Sequence, residues 1–153
     1  MGSLFHVLVV FGFTLWFVIS PLDERFNLTA NFPWVLEVIG FIFLVVCFYL
    51  FLKSYMDNTY LSPLVRIQKE RNQKLISTGV YAWVSHPMYL EAILFFLGGP
   101  LLMGSIYGLL IGILLSLSVV ARTWGEEQML VEELDGYVEY KKKVKYRLIP
   151  YLW

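Results

Sequence analysis

Val35-Leu36-Glu37-Val38-Ile39-Gly40-Phe41-Ile42-Phe43-Leu44-Val45-Val46-Cys47-Phe48-Tyr49-Leu50-Phe51-Leu52 is an apolar run with one charge, Glu37, near its start. A helix of about 20 apolar residues crosses a bilayer, so the run reads as a membrane span. Leu4 to Ile19 reads the same way. It holds no charge, is interrupted only by His6, Gly12 and Thr14, and stops at Ser20-Pro21. A secretory signal fits it less well, because no basic segment precedes the run and no small-x-small site follows it. Asp23-Glu24-Arg25 and residues 27–33 form a short polar connection between these two spans.

Working outward, Lys53 to Thr78 interrupts the hydropathy with Lys53, Arg66, Lys69, Arg71, Lys74 and Pro63, and ends on the turn signal Ser77-Thr78-Gly79. Apolar character returns near Val80, is cut by Pro87, and runs from Met88 to Met103 through Gly98-Gly99-Pro100. A further run covers Ile106 to Ala121. Gly104, Gly108 and Gly112 fall four apart, a stripe that lets helix backbones approach closely in lipid. From Glu126 the chain becomes charged. Met129, Leu130, Leu134, Tyr137, Val138 and Val144 suggest one amphipathic helix to about Lys145, lying along the membrane surface. The expected fold is an all-α integral membrane protein of about four transmembrane helices plus a C-terminal amphipathic cytoplasmic helix. Residues 1–53 supply the first two spans, and 54–153 form the region expected to be catalytic.

Composition agrees with this reading. Of 153 residues, 58% are apolar and only 16% charged, too few charges to cover a small water-soluble domain. Twelve basic residues balance twelve acidic ones, which offers no footing for nucleic acid. The single cysteine, Cys47, excludes an internal disulfide and any CxxC metal or redox pair. Eleven of the twelve basic residues, all but Arg25, fall in the loop before Gly79 or the tail from Arg122. The positive-inside rule then puts both termini, the long loop and the tail in the cytoplasm.

Two polar clusters stand at that face. Gly79-Val80-Tyr81-Ala82-Trp83-Val84-Ser85-His86-Pro87-Met88-Tyr89 combines a turn glycine, a histidine ahead of a helix-opening proline, and three aromatics. An interfacial aromatic belt is the plainer explanation. Arg122-Thr123-Trp124-Gly125-Glu126-Glu127 ends the fourth span, and in a continuing helix Arg122 and Glu126 share a face. Here a surface ion pair is the plainer explanation. Of the ionisable residues inside the spans, His6 and Glu37 lie near helix ends within reach of the interface. Glu91 lies one turn beyond the first cluster. Aromatic faces, a histidine, an arginine and paired carboxylates together suit a polar, zwitterionic cofactor. No GxGxxG, P-loop or HExxH is present.

Gly79-x-Tyr81-x4-His86-Pro87-x-Tyr89, then Arg122-x3-Glu126-Glu127-x2-Leu130, then Tyr137-x2-Tyr140-x3-Val144-x2-Arg147-x-Ile149-Pro150, resembles the isoprenylcysteine carboxyl methyltransferase family and the wider group of membrane phospholipid methyltransferases. The resemblance covers about the last 80 residues. It implies an enzyme that takes S-adenosylmethionine from the cytoplasmic side, releases S-adenosylhomocysteine, and methylates a lipid-like or prenylated substrate arriving from the membrane lipids. It implies that Gly79, Tyr81, His86, Pro87 and Tyr89 hold the cofactor and that Arg122, Glu126 and Glu127 close the site. Ser85 departs from the arginine the family usually has before the His-Pro pair, which leaves Arg122 as the one cation expected near the acceptor. Tyr146 to Tyr151 also resembles the C-terminal end of the NADPH-dependent sterol reductases. A non-catalytic adaptor whose basic tail, Lys141 to Lys145, binds anionic lipid is the reading from another class.

Overall fold

The computed structural model describes residues 3–58, 60 and 75–153, with side chains from Val7 onward. Pro63, Arg66, Lys69, Arg71, Lys74 and the side chain of His6 lie outside the described residues. Among the described residues five α-helices follow one another: α1 (Ser3–Phe26), α2 (Trp34–Asp57), α3 (Pro87–Leu102), α4 (Ile106–Glu133) and α5 (Tyr137–Lys143). A 3-10 turn over Gly79–Ala82 precedes α3, and there is no strand among the described residues. Helices α1, α2 and α4 are long and apolar enough to cross a membrane. The 16 residues of α3 reach about 24 Å, short of a full hydrocarbon core. Phe11, Phe17, Phe41, Tyr49 and Leu114 are more than half exposed. Such faces belong against lipid, where the backbone groups are satisfied inside each helix.

Two compact units divide the chain, Met1–Cys47 with Ala92–Val119, and Phe48–Glu91 with Val120–Trp153. In the first, close backbone approach sets the packing. A Cβ at Gly40 would strike the backbone N of Leu102, the Cβ of Leu101 at 2.7 Å and the carbonyl of Gly98 at 2.8 Å. At Gly112 a Cβ would strike the carbonyl of Phe96, whose oxygen also accepts from Trp16 Nε1 at 3.0 Å. Gly108 rests against Ser20. Gly104 belongs to the turn instead of the packing stripe, because α3 ends there in a left-handed cap at φ 66°. The amide of Gly104 donates to Leu101 O and that of Ser105 to Pro100 O, the paired bonds of a Schellman cap. Gly40→Val is expected to cost about 3 kcal/mol, since the clash is with backbone that cannot rotate away. Thermal unfolding of the purified protein in detergent measures it, and an unchanged midpoint would refute the close approach.

α1 does not stop at Ser20-Pro21 but continues to Phe26, with Pro21 inside the helix. Asp23, expected in a polar connection, is 1% exposed. Its carboxylate accepts from the Thr29 amide and hydroxyl, both at 2.8 Å, from Ser105 Oγ at 2.6 Å and from the Tyr107 amide at 3.4 Å. One more helical turn therefore brings an anion to the start of α4, where it accepts from the Tyr107 amide and from the hydroxyls of Thr29 and Ser105, which in turn accept from the amides of Ile106 and Gly108.

The expected surface helix from Glu126 to Lys145 is also divided. α4 runs through to Glu133, and Gly136, at φ 82°, turns the chain before α5. Tyr137, Tyr140 and Val144 are buried with Leu75, Leu130 and Leu134, so this apolar face closes onto its own unit.

Candidate active site

The second unit builds its polar site on the turn before α3. Gly79 takes φ 61°, a left-handed conformation, and a side chain there would collide with the Asp57 carboxylate. That carboxylate accepts the Val80 amide at 3.0 Å and so starts the 3-10 turn that buries Tyr81. Pro87 then opens α3, where its fixed φ suits a first helical position and its missing N–H costs nothing. Between them, the amides of Ser85 and His86 donate to the carbonyls of Tyr146 and Arg147, both at 2.9 Å. The C-terminal segment is thereby stitched along the His-Pro pair. The Ser85 hydroxyl also faces Tyr146 O, at 3.3 Å.

Tyr81, Ser85, His86 and Glu126 line one cleft of about 100 Å³, together with Asn58, Leu75 and the α5 tyrosines Tyr137 and Tyr140. His86 stacks on Tyr89, with ring centroids 5.7 Å apart and planes inclined by 19°. Tyr137 Oη stands 3.4 Å from His86 Nε2, and the Tyr140 hydroxyl donates to Tyr81 O at 2.6 Å. Burial pulls the His86 imidazole from its usual 6.5 down to about 4. Arg147 and Lys141 push the same way and Glu127 opposes them, so the ring is neutral at pH 7. Burial likewise raises the Tyr81 phenol to about 12 and those of Tyr137 and Tyr140 well above their usual range. The cleft therefore presents protonated phenols around an uncharged imidazole.

The adjacent glutamates part company because successive residues of a helix point about 100° apart. Glu126 hydrogen-bonds to Tyr89 and interacts with the charge of Arg122, one turn earlier on α4. The Arg122 guanidinium lies 5.9 Å from the centroid of the Tyr89 ring. The other carboxylate oxygen of Glu126, Oε2, is buried without a hydrogen-bond partner among the described residues. Glu127 turns elsewhere. Its Oε2 accepts from Arg147 Nε at 3.0 Å and Nη2 at 2.8 Å, and pairs with Lys141 Nζ at 3.1 Å. Arg122 is thus not the one cation near the cluster. Arg147 and Lys141 stand close by, both engaged with Glu127, while Arg122 attends Tyr89.

Of the residues expected in the site, the structure brings Tyr81, His86, Tyr89, Arg122 and Glu126 together. Gly79, Pro87 and Glu127 shape the surrounding backbone. Sequence reasoning missed Asn58, which lines the cleft, and the pairing of Ser54 with Glu91, whose side chains meet at 2.5 Å. No spacing rule links residues 37 positions apart across a long loop. The α5 tyrosines and Arg147 did stand in the recognised motif, but nothing in it named their partners.

The family model for phospholipid methyltransferases matches residues 35–135, well over half of the chain and both polar clusters. The chain belongs to the phospholipid methyltransferase family. Two curated relatives of this family member are protein-S-isoprenylcysteine O-methyltransferases. The one from Saccharomyces cerevisiae is 36% identical over 85 residues and the one from Schizosaccharomyces pombe 33% identical over 85 residues. Each match covers 54% of this chain and 36% of the relative, so the aligned stretch spans little more than a third of the length of those relatives. Among solved structures, the eukaryotic intramembrane Ras methyltransferase, isoprenylcysteine carboxyl methyltransferase, superposes with a TM-score of 0.72 at 21% identity. That match covers 99% of this chain and 54% of the other. The phospholipid methyltransferase family member thus shares the helical arrangement of a membrane protein.

Proposed function

We propose that this chain transfers a methyl group from S-adenosylmethionine to a lipid-like acceptor, the C-terminal carboxylate of a prenylcysteine, at the cytoplasmic face of the membrane, with residues 54–153 as the catalytic region. The carrying observation is the meeting of Tyr81, His86 and Glu126 at one cleft, with Tyr89 joining His86 to Glu126 and Arg122. The names of the curated relatives support the acceptor. The residues present fit the cofactor chemically. The phenols and imidazole offer faces for an adenine or a sulfonium, and Glu126 Oε2 is a buried acceptor without a partner among the described residues. About 100 Å³ accommodates one moiety of such a molecule, since whole drug-sized ligands occupy roughly 300 Å³ or more.

When bound, S-adenosylmethionine supplies an electrophilic methyl group for in-line displacement, so the protein acts mainly by alignment and by excluding water. A neutral His86 adds no positive charge to repel a sulfonium. Arg122 orients the acceptor, because its planar fork matches a carboxylate at two points. A carboxylate acceptor needs no base. An amine acceptor would, and Glu126 is then the candidate, since Glu127 is committed to Arg147 and Lys141.

Titration of the detergent-purified protein is expected to show binding of S-adenosylhomocysteine and none of NADPH; the reverse would support a reductase, and neither an adaptor. A radiolabelled-methyl assay should then label a farnesylcysteine analogue. The family model's name makes an amine phospholipid the second acceptor to test, and labelling of that lipid alone would overturn the carboxylate assignment. Cytoplasmic termini are checked by cysteine labelling at Asn27 and at the C-terminus in a Cys47→Ser background. Opposite accessibility is expected, and labelling of both from outside would reject the orientation.

A further inference from the structure

A second cleft, sharing no residue with the first, opens beside the turn before α3. It encloses about 140 Å³ and is lined by Ala82, Trp83, Lys143, Lys145, Tyr146 and Tyr151, among others. We propose that it binds the phosphate of an anionic phospholipid headgroup. The inference does not depend on the methyltransferase reading.

The lysines divide in a telling way. Lys141 is taken by Glu127 at 3.1 Å and Lys142 by Glu139 at 2.6 Å. Lys143 and Lys145, the two that line the cleft, form no ion pair among the described residues. Two lysines lining one concavity give it a positive potential that attracts a phosphate and repels a choline, so the site selects against zwitterionic phosphatidylcholine.

The aromatic residues identify the source of that phosphate. Trp83 is 66% exposed and Tyr151 84% exposed, and the neighbouring Leu152 is also exposed. Rings with an apolar body and a polar tip belong at headgroup level. Trp83 stands four residues before Pro87, where the apolar α3 begins. Tyr151 holds φ 66°, a left-handed backbone that an aromatic residue rarely adopts. The turn enforces it, because the amides of Leu152 and Trp153 both return to Ile149 O at 3.2 Å. The outward ring is therefore built into the chain. A free phosphate would gain nothing from these exposed rings, whereas a lipid headgroup sits among them.

Native mass spectrometry of the full chain in detergent, with added phosphatidylglycerol, phosphatidylcholine or inorganic phosphate, tests the site. A lysine near an anionic surface contributes about 5-fold in binding, so the K143Q/K145Q double variant should lose about 30-fold in phosphatidylglycerol affinity. Phosphatidylcholine should bind both proteins equally weakly, inorganic phosphate should not displace the lipid, and K142Q should behave as the parent. Both substituted lysines are exposed, so the variants should unfold at the parent's temperature. Unchanged phosphatidylglycerol affinity in the double variant, or no preference over phosphatidylcholine in the parent, would overturn the proposal. Displacement by inorganic phosphate would make it a free-anion site, and an equal loss in K142Q would assign the effect to overall tail charge; either result rejects the headgroup site.

Discussion

Arg122→Lys is expected to leave the fold and S-adenosylhomocysteine binding intact while lowering methyl transfer to a farnesylcysteine acceptor about 100-fold or more. The expectation rests on geometry. Arg122 sits one turn before Glu126 on α4 and lies 5.9 Å from the centre of the Tyr89 ring, which in turn stacks on His86. Lysine keeps the charge there but loses the planar fork that can fix a carboxylate at two points. A solvated ion pair is worth up to about 1 kcal/mol, a factor of roughly five, so its loss could not account for a 100-fold fall. Radiolabelled-methyl turnover, measured beside calorimetric binding of S-adenosylhomocysteine, separates the two roles. Parent-like turnover in the variant would make Arg122 a structural residue.

The second large effect concerns pH. His86 takes up a proton near pH 6.5 when unfolded but only near pH 4 when folded, because burial disfavours the imidazolium. Between those values the unfolded chain binds a proton that the folded chain does not. Stability contributed at neutral pH is therefore lost as pH falls from 6.5 toward 4, by about 3 kcal/mol in all. Above pH 6.5 His86 is neutral in both states and adds no slope. Unfolding in detergent across this window should show the loss in the parent and a shallower slope in His86→Gln. Carboxylates titrate in both proteins, so the difference between the two slopes isolates His86. Identical slopes would mean that the imidazole titrates alike in the folded and unfolded protein and that burial does not lower it.

The legibility of this protein in its sequence follows from the range of the forces involved. Hydropathy is local, so the apolar runs that became α1 to α4 could be read directly, and so could the turn at Gly79 and the helix opening at Pro87, whereas Gly104 read as part of a packing stripe and proved to be the left-handed cap of α3. The apolar run ends at Ala121, and periodicity put Arg122 and Glu126 on one face only on condition that the helix continued, which α4 does as far as Glu133. Partners far apart along the chain are another matter. α1 overran Ser20-Pro21 because Asp23 meets Thr29, Ser105 and Tyr107, a reward absent from its neighbours in sequence. Gly40 resembled any other glycine of a span until the backbone of Leu102 came against it.

Charge pairing was the least legible feature. Two adjacent glutamates are alike as letters, and only the 100° step of a helix against its surroundings sends one to Tyr89 and the other to Arg147 and Lys141. Glu91 stands in the sequence only as an ionisable residue one turn beyond the first cluster, and nothing there names Ser54, on another helix, as the donor of its hydrogen bond. The sequence by itself determined the membrane helices and the residue types that could form the site, because hydropathy and motif spacing act over a few turns. The tertiary structure decided which carboxylate faces the cleft and which secures the C-terminal segment, because desolvated charges settle on partners that only folding brings within reach.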